Sequence, residues 1–389
     1  MATLTREDAA RRFEELPLPT TADEHWRFTD LRGFAPNGHV AGTVPETGPV
    51  RPMLDLDVAA RAHVTETGIE ILSAPDGVTF EPLPHDYDAR LVPDDDRFAL
   101  ENLARWQHGL LVRVPKGVEL ERPLYVQVTS SGGSLYWRMV VEAEEGARFT
   151  LIEDLSSAAD DAVAYTNAVV ELFVQPQAKI EYVSLQNLSR ETWHFGRHKA
   201  WLERDSELDW VIGGFGSKRG KVWIENDLVG PGATSRVTGA YFADGDQHLD
   251  YDTFQEHAAP NTESDFAFKG ALRERATAVW RGMIRVEENA QKTNAYQENR
   301  NLLLSDESHA DSIPGLEIMA NDVRCTHGAT LGRIDREELF YLMARGLSRA
   351  EAERLIVRGF FQDVLDRIEL EPVREALGAA LEARIPQVV

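Results

Sequence analysis

A cysteine and a histidine stand two residues apart in Asp322-Val-Arg-Cys-Thr-His327, and Cys325 is the only cysteine in the 389-residue chain. In an extended strand, residues i and i+2 share a face, so the Cys325 thiol and the His327 imidazole are expected side by side. A thiol next to an imidazolium or an arginine gives up its proton more readily, which suits a nucleophile or a soft-metal ligand. Both residue types are natural ligands of iron or zinc. The opposing reading is a buried structural cysteine with a surface histidine close by. One cysteine cannot hold a cluster of the usual four-thiolate kind, so any metal role requires ligands from another chain.

Two other constellations carry weaker chemistry. His194 and His198, in Trp193-His-Phe-Gly-Arg-His198, have the spacing of a helical metal pair, but their surroundings are strand-like and no third ligand stands nearby. The stretch Gly213-Gly-Phe-Gly-Ser-Lys-Arg-Gly-Lys-Val222 resembles a phosphate-binding loop only superficially. Phe215 and Val222 break the Walker pattern, Arg219 breaks the dinucleotide one, and a bend between repeats is the expected reading.

The elements that must position these residues are repetitive. From about residue 109, strand-like runs are broken by a small turn unit, an acidic, amide or glycine residue beside a small one. It recurs at Lys116-Gly, Glu145-Gly, Gln177-Ala, Asp205-Ser, Gly232-Ala, Asn261-Thr, Asn289-Ala and Asn321-Asp, about 27 to 32 residues apart. Runs such as Val169-Val-Glu-Leu-Phe-Val174 cannot bury an apolar face alone, so neighbouring units must stack around a continuous core. A β-solenoid running to about residue 330 follows, with a sandwich or barrel as the competing arrangement.

The ends have a different texture. Thr5 to Leu16 carries Ala9, Phe13 and Leu16 at helical spacing, and Pro17 and Pro19 stop it. Residues 35–53 are rich in glycine and proline and read as a loop. Asp335 with Glu338, then Ser348 with Glu351, mark the starts of two helices separated by Gly346. The second continues through Leu355, Ile356, Phe360, Val364 and Ile368. The expected division is 1–85 helical and irregular, 86–330 β-helix core, and 331–389 helical.

Acidic residues outnumber basic ones 65 to 41, for a formal charge of -24, and no basic stripe offsets them. Such a surface repels phosphate backbones and anionic lipid, which argues against nucleic acid or a membrane as partner. No run of about 18 apolar residues is present to span a bilayer. The polar N-terminus and the single cysteine lead to the expectation of a reducing, cytoplasmic location.

Several motifs together are similar to the SufB/SufD family. They are Asn301-Leu-Leu-Leu-Ser305, Gly315-Leu-Glu-Ile318, Asn321-Asp-Val-Arg-Cys-Thr-His-Gly-Ala-Thr-Leu-Gly332, Leu339-Phe-Tyr-Leu-Met-Ala-Arg-Gly-Leu347 and Leu355-Ile-Val-Arg-Gly-Phe360. Trp26-Arg-Phe-Thr-Asp30 resembles the N-terminal segment of SufD members. The resemblance implies a mainly β protein with a right-handed β-helix core, an α-helical N-terminal region and an α-helical C-terminal domain. It implies a scaffold subunit for iron–sulfur cluster assembly that pairs with SufB and binds SufC, an ABC-type ATPase. On that reading the subunit catalyses nothing itself, since nucleotide chemistry belongs to a partner. No cofactor is then expected to stay on the isolated chain, and a cluster would form transiently at the interface with SufB.

The resemblance places the family's interface residues at His327 and Cys325, and SufC contacts at the 335–368 hairpin through Phe340, Leu355, Phe360 and Val364. The single cysteine and the Cys-x-His-Gly-Ala-Thr form favour SufD over SufB. A homodimer when SufB is absent stays open. The alternatives are a SufB-like subunit that itself carries a nascent cluster, and a β-helix enzyme acting on acidic polysaccharide. The latter would need an export signal and a basic or calcium-lined groove.

Overall fold

A computed structural model describes residues 4–35 and 53–385; the glycine- and proline-rich loop expected at 35–53 falls almost wholly outside them. The described residues form a parallel β-solenoid built from two sheets, one of ten strands and one of nine. An antiparallel hairpin, β1 (Ala60–Thr65) and β2 (Gly68–Ser73), ends one sheet, and β3 (Thr79–Pro82) pairs antiparallel with β4 (His108–Val114) at the matching end of the other.

Each later coil contributes one strand to each sheet. The first sheet continues with β5 (Leu124–Ser130), β7 (Arg148–Ser157), β9 (Lys179–Asn187), β11 (Glu207–Gly214), β13 (Thr234–Ala243), β15 (Glu263–Leu272), β17 (Asn294–Leu303) and β19 (Arg324–Arg333). The second continues with β6 (Gly133–Ala143), β8 (Ala164–Val174), β10 (Trp193–Leu202), β12 (Arg219–Leu228), β14 (His248–His257), β16 (Thr277–Val286) and β18 (His309–Ile318).

The turn unit read in the sequence has a backbone cause. Gly117, Gly146, Gln177, Asp205, Gly232, Asn261 and Lys292 all adopt positive φ, between 55° and 77°. Glycine, asparagine and aspartate reach this left-handed region at least cost, which explains the recurring residue types. Each of these amides donates to a carbonyl in the next coil, for example Gly117 to Glu145 at 2.9 Å and Asp205 to Pro231 at 3.0 Å. The corners therefore form a hydrogen-bonded column of their own.

Pairing in register stacks like on like. Val114, Ala143, Val174, Leu202, Leu228, His257 and Val286 form one buried column through the second sheet. His257 is tolerated there because both ring nitrogens are bonded, to Thr262 at 2.7 Å and Ser264 at 2.8 Å; burial lowers its pKa to about 4. The glycine-rich stretch is the corner between β11 and β12, as its reading as a bend required. A Cβ on Gly216 would lie 2.0 Å from the Leu188 carbonyl oxygen, so no other residue fits.

Helices cover the outer faces. α1 (Arg6–Glu15), capped by Thr5, packs with α2 (Arg97–Arg105) over Leu111, Val140 and Phe173. The Trp26 motif lies beside them, with its indole 5.1 Å from Phe98, 5.6 Å from Phe195 and 5.4 Å from Trp223. At the other end come α3 (Arg336–Ala344), α4 (Arg349–Leu365) and α5 (Glu371–Arg384). The Ser348–Glu351 capping box forms as expected, whereas Asp335 caps through the Glu337 amide at 2.7 Å without help from Glu338. α4 ends at Leu365, short of Ile368, and α5 is an additional helix. α4 and α5 lay Val357, Phe361, Val364, Leu377 and Leu381 onto Ile152, Val183, Val211 and Phe242 of the first sheet.

Candidate functional site

The solenoid ends open. β18 and β19 are the last strands of their sheets, so each presents one unpaired backbone edge. The Arg324 amide donates inward to Thr293 at 2.9 Å. Backbone groups alternate along a parallel strand, so residues 325, 327, 329 and 331 turn theirs outward. On β18 the His309 amide points inward to Ala276, at 3.1 Å, which puts Pro314 at an outward position where it offers no donor. The β19 edge is thus intact for pairing, and the β18 edge is interrupted.

Cys325 and His327 share a face of β19, as the spacing predicts. They stack on Ala295 and Gln297, both buried in the lumen, so both side chains continue lumen columns onto the open end. Cys325 is half-buried and His327 exposed. The expected acidification of the thiol does not occur. Burial pushes the Cys325 pKa up, only partly countered by hydrogen bonding to the Ala295 backbone, and neither His327 nor Arg324 pulls it down. Arg324 is one residue away and so faces the opposite side of the strand.

Among the described residues, no three His, Cys, Asp or Glu side chains converge closely enough to hold a metal ion. The open end presents one sulfur and one nitrogen side chain, residue types that can ligate iron or zinc.

His194 and His198 lie inside the solenoid on β10. His194 Nδ1 bonds the Thr166 hydroxyl at 2.8 Å, and His198 stacks on Trp210 with 5.8 Å between ring centroids. Burial lowers their pKa values to about 4 and about 3, so both are neutral core groups beside a cavity of about 30 Å³.

The four helical residues proposed as partner contacts divide. Phe340 is 74% exposed and Leu355 50% exposed. Phe360 is half-buried with its ring 4.8 Å from Lys269 Nζ, and that ammonium also donates to the Phe360 carbonyl at 2.6 Å. Val364 is 2% exposed within the contact between α4 and the first sheet. Val364 holds α4 on the solenoid and offers no free surface, while Phe360 packs against the same contact and stays partly accessible. Sequence reading missed Tyr341 and Met343, which extend the exposed patch around Phe340, and Ile318, Met319 and Leu331 near the open end. For Ile318 the available signal was a large apolar residue at a strand's last position. No described helix is long and apolar enough to cross a membrane.

A family model described as "SUF system FeS cluster assembly, SufBD core domain" matches residues 126–360, from the first full coils to the middle of α4. An iron–sulfur cluster assembly SufBD family protein of Mycobacterium leprae is 30% identical over 380 residues, covering 94% of this chain and 90% of that protein. One from Mycobacterium tuberculosis is 31% identical over 379 residues, covering 94% and 89%. One from Staphylococcus epidermidis is 30% identical over 294 residues; there the match covers 75% of this chain but 63% of the relative. The coil-by-coil solenoid, its open end and these matches agree: the chain belongs to the SufBD family of iron–sulfur cluster assembly proteins.

Proposed function

We propose that this chain is a SufD-type, non-catalytic scaffold that pairs through its open β19 edge with a SufB-type chain and carries a SufC-type ATPase on α3 and α4. The observation that carries the reading is the half-complete donor pair, Cys325 and His327, set on an unpaired strand edge. A second solenoid docked there would satisfy the edge amides and bring the missing ligands to the same place. The cluster is cargo assembled between chains, and iron or sulfide need not stay on this chain alone. Phe340, Tyr341 and Met343 on α3 and Leu355 on α4 are the exposed apolar side chains that would receive the ATPase.

Phe340→Asp is expected to weaken capture of the ATPase subunit by about 2 kcal/mol, roughly thirtyfold, as for an aromatic anchor in a protein interface. The check is co-expression of all three subunits followed by size-exclusion chromatography and titration of the purified pair, with circular dichroism to verify the fold. Because Phe340 is 74% exposed, its replacement should leave the fold intact. A folded Phe340→Asp chain that binds the ATPase as the parent does would remove the patch from the proposal.

A further inference from the structure

One column of the lumen changes character one layer below the open end. A single column of the first sheet runs Tyr182, Trp210, Val237, Phe266, Gln297, His327. Four large apolar or aromatic residues give way to a carboxamide, then to the candidate ligand. Gln297 is fully buried, and an amide there costs several kcal/mol unless its hydrogen bonds are made.

They are all made, and across the lumen. Gln297 Nε2 donates to the Gly282 carbonyl on β16 at 3.2 Å and to the Gly315 carbonyl on β18 at 3.1 Å, and Gln297 Oε1 accepts from Gln255 Nε2 at 3.3 Å. A Cβ on Gly282 would lie 2.5 Å from Gln297 Oε1, so the glycine makes the room the strut needs. A second link runs parallel, from the Ser312 hydroxyl on β18 to Asn299 Oδ1 on β17. A leucine at 297 could fill the same space without the desolvation cost. A polar layer that merely capped the core would turn its groups outward to water, whereas these face each other and tie β17, one layer below the open end, to β16 and β18 of the opposite sheet.

We infer that Gln297 is a positioning residue: by fixing the separation of β17 and β18 it sets the direction in which His327, stacked on it, projects at the open end. This rests on the reading of that end as the assembly site. The test compares Gln297→Met, Gln255→Met and His327→Ala in the co-expressed complex, measuring iron and sulfide per assembled complex after anaerobic purification together with thermal stability. Gln255→Met removes a buried amide of equal size from the same lumen but leaves both bonds donated by Gln297 in place.

The expected result is a complex that assembles with Gln297→Met but holds roughly tenfold less iron and sulfide, the loss typical when a metal ligand's support is removed, while Gln255→Met keeps its content. Gln297→Asn, too short to reach both carbonyls, should show the same loss and serves if the methionine variant does not fold. Full content in both Gln297 variants, alongside an empty His327→Ala complex, overturns the inference alone. Equal losses in the Gln297 and Gln255 variants overturn it too, since lumen polarity rather than this strut would then matter. Full content in His327→Ala as well overturns the reading of the site.

Discussion

Replacing Arg138 with methionine is expected to lower stability by about 3–5 kcal/mol, the cost of leaving a buried charge without its partner. Arg138 and Glu171 form an ion pair on the outer face of the second sheet, with side chains 0% and 1% exposed. Glu171 does more than neutralise the arginine: its second oxygen accepts from the backbone amides of Arg90 at 2.8 Å and Leu91 at 2.7 Å, stapling the segment before α2 to the solenoid. Methionine preserves most of the volume over the sheet, so the loss isolates the charge. Adding Glu171→Gln should recover much of it, because glutamine is neutral yet still offers an oxygen to both amides. Chemical denaturation of the single and double variants decides the matter. If Arg138→Met is as stable as the parent, the buried ion pair does not support the fold.

The second large effect concerns assembly rather than folding. Ala329→Pro is expected to abolish co-elution with a SufB-type chain while barely changing the stability of the isolated chain. Residue 329 turns its amide outward, so proline there breaks no bond to β17, and Pro314 already occupies the corresponding kind of position on β18. The ring would remove a donor from the pairing edge and push a docking strand away. A variant that still co-elutes in full would mean that the two chains meet elsewhere.

Much of this architecture was legible because the solenoid repeats its most constrained feature. The stacked corners need a residue at positive φ, and that need writes glycine, asparagine or aspartate into most of them from Gly117 to Asn261, with Gln177 the exception. The Ser348–Glu351 box was legible for a similar local reason. α5 was not, since Leu370 precedes it without a side-chain cap and only Pro372 near its start marks it. Which face of a strand or helix points inward was harder still. β8 is buried along its whole length, on the lumen side by its own core and outside by α2 and its neighbours, so its sequence carries no alternation to read. The same double burial hid Arg138 and Lys221 inside the molecule, and it turned Val364 from an expected contact into packing.

At the site, the pairing of Cys325 with His327 followed from strand geometry alone. The raised thiol pKa did not, because it depends on the burial that the preceding coil supplies. Gln297 was invisible for the same reason. Its role appears only when a residue 30 positions before His327 is found directly beneath it.

Iron and sulfide in the His327→Ala complex, purified anaerobically with its SufB-type and SufC-type partners and compared with the parent at matched stability, decide whether the open end is a shared assembly site. A shared assembly site predicts that the complex forms, melts where the parent melts, and carries little iron or sulfide, because the exposed imidazole contributes to the cargo and hardly to the fold. Cys325→Ala should be partly spared, since the partner can supply thiolates. A His327→Ala complex as stable as the parent and with a full complement of both elements would contradict the account.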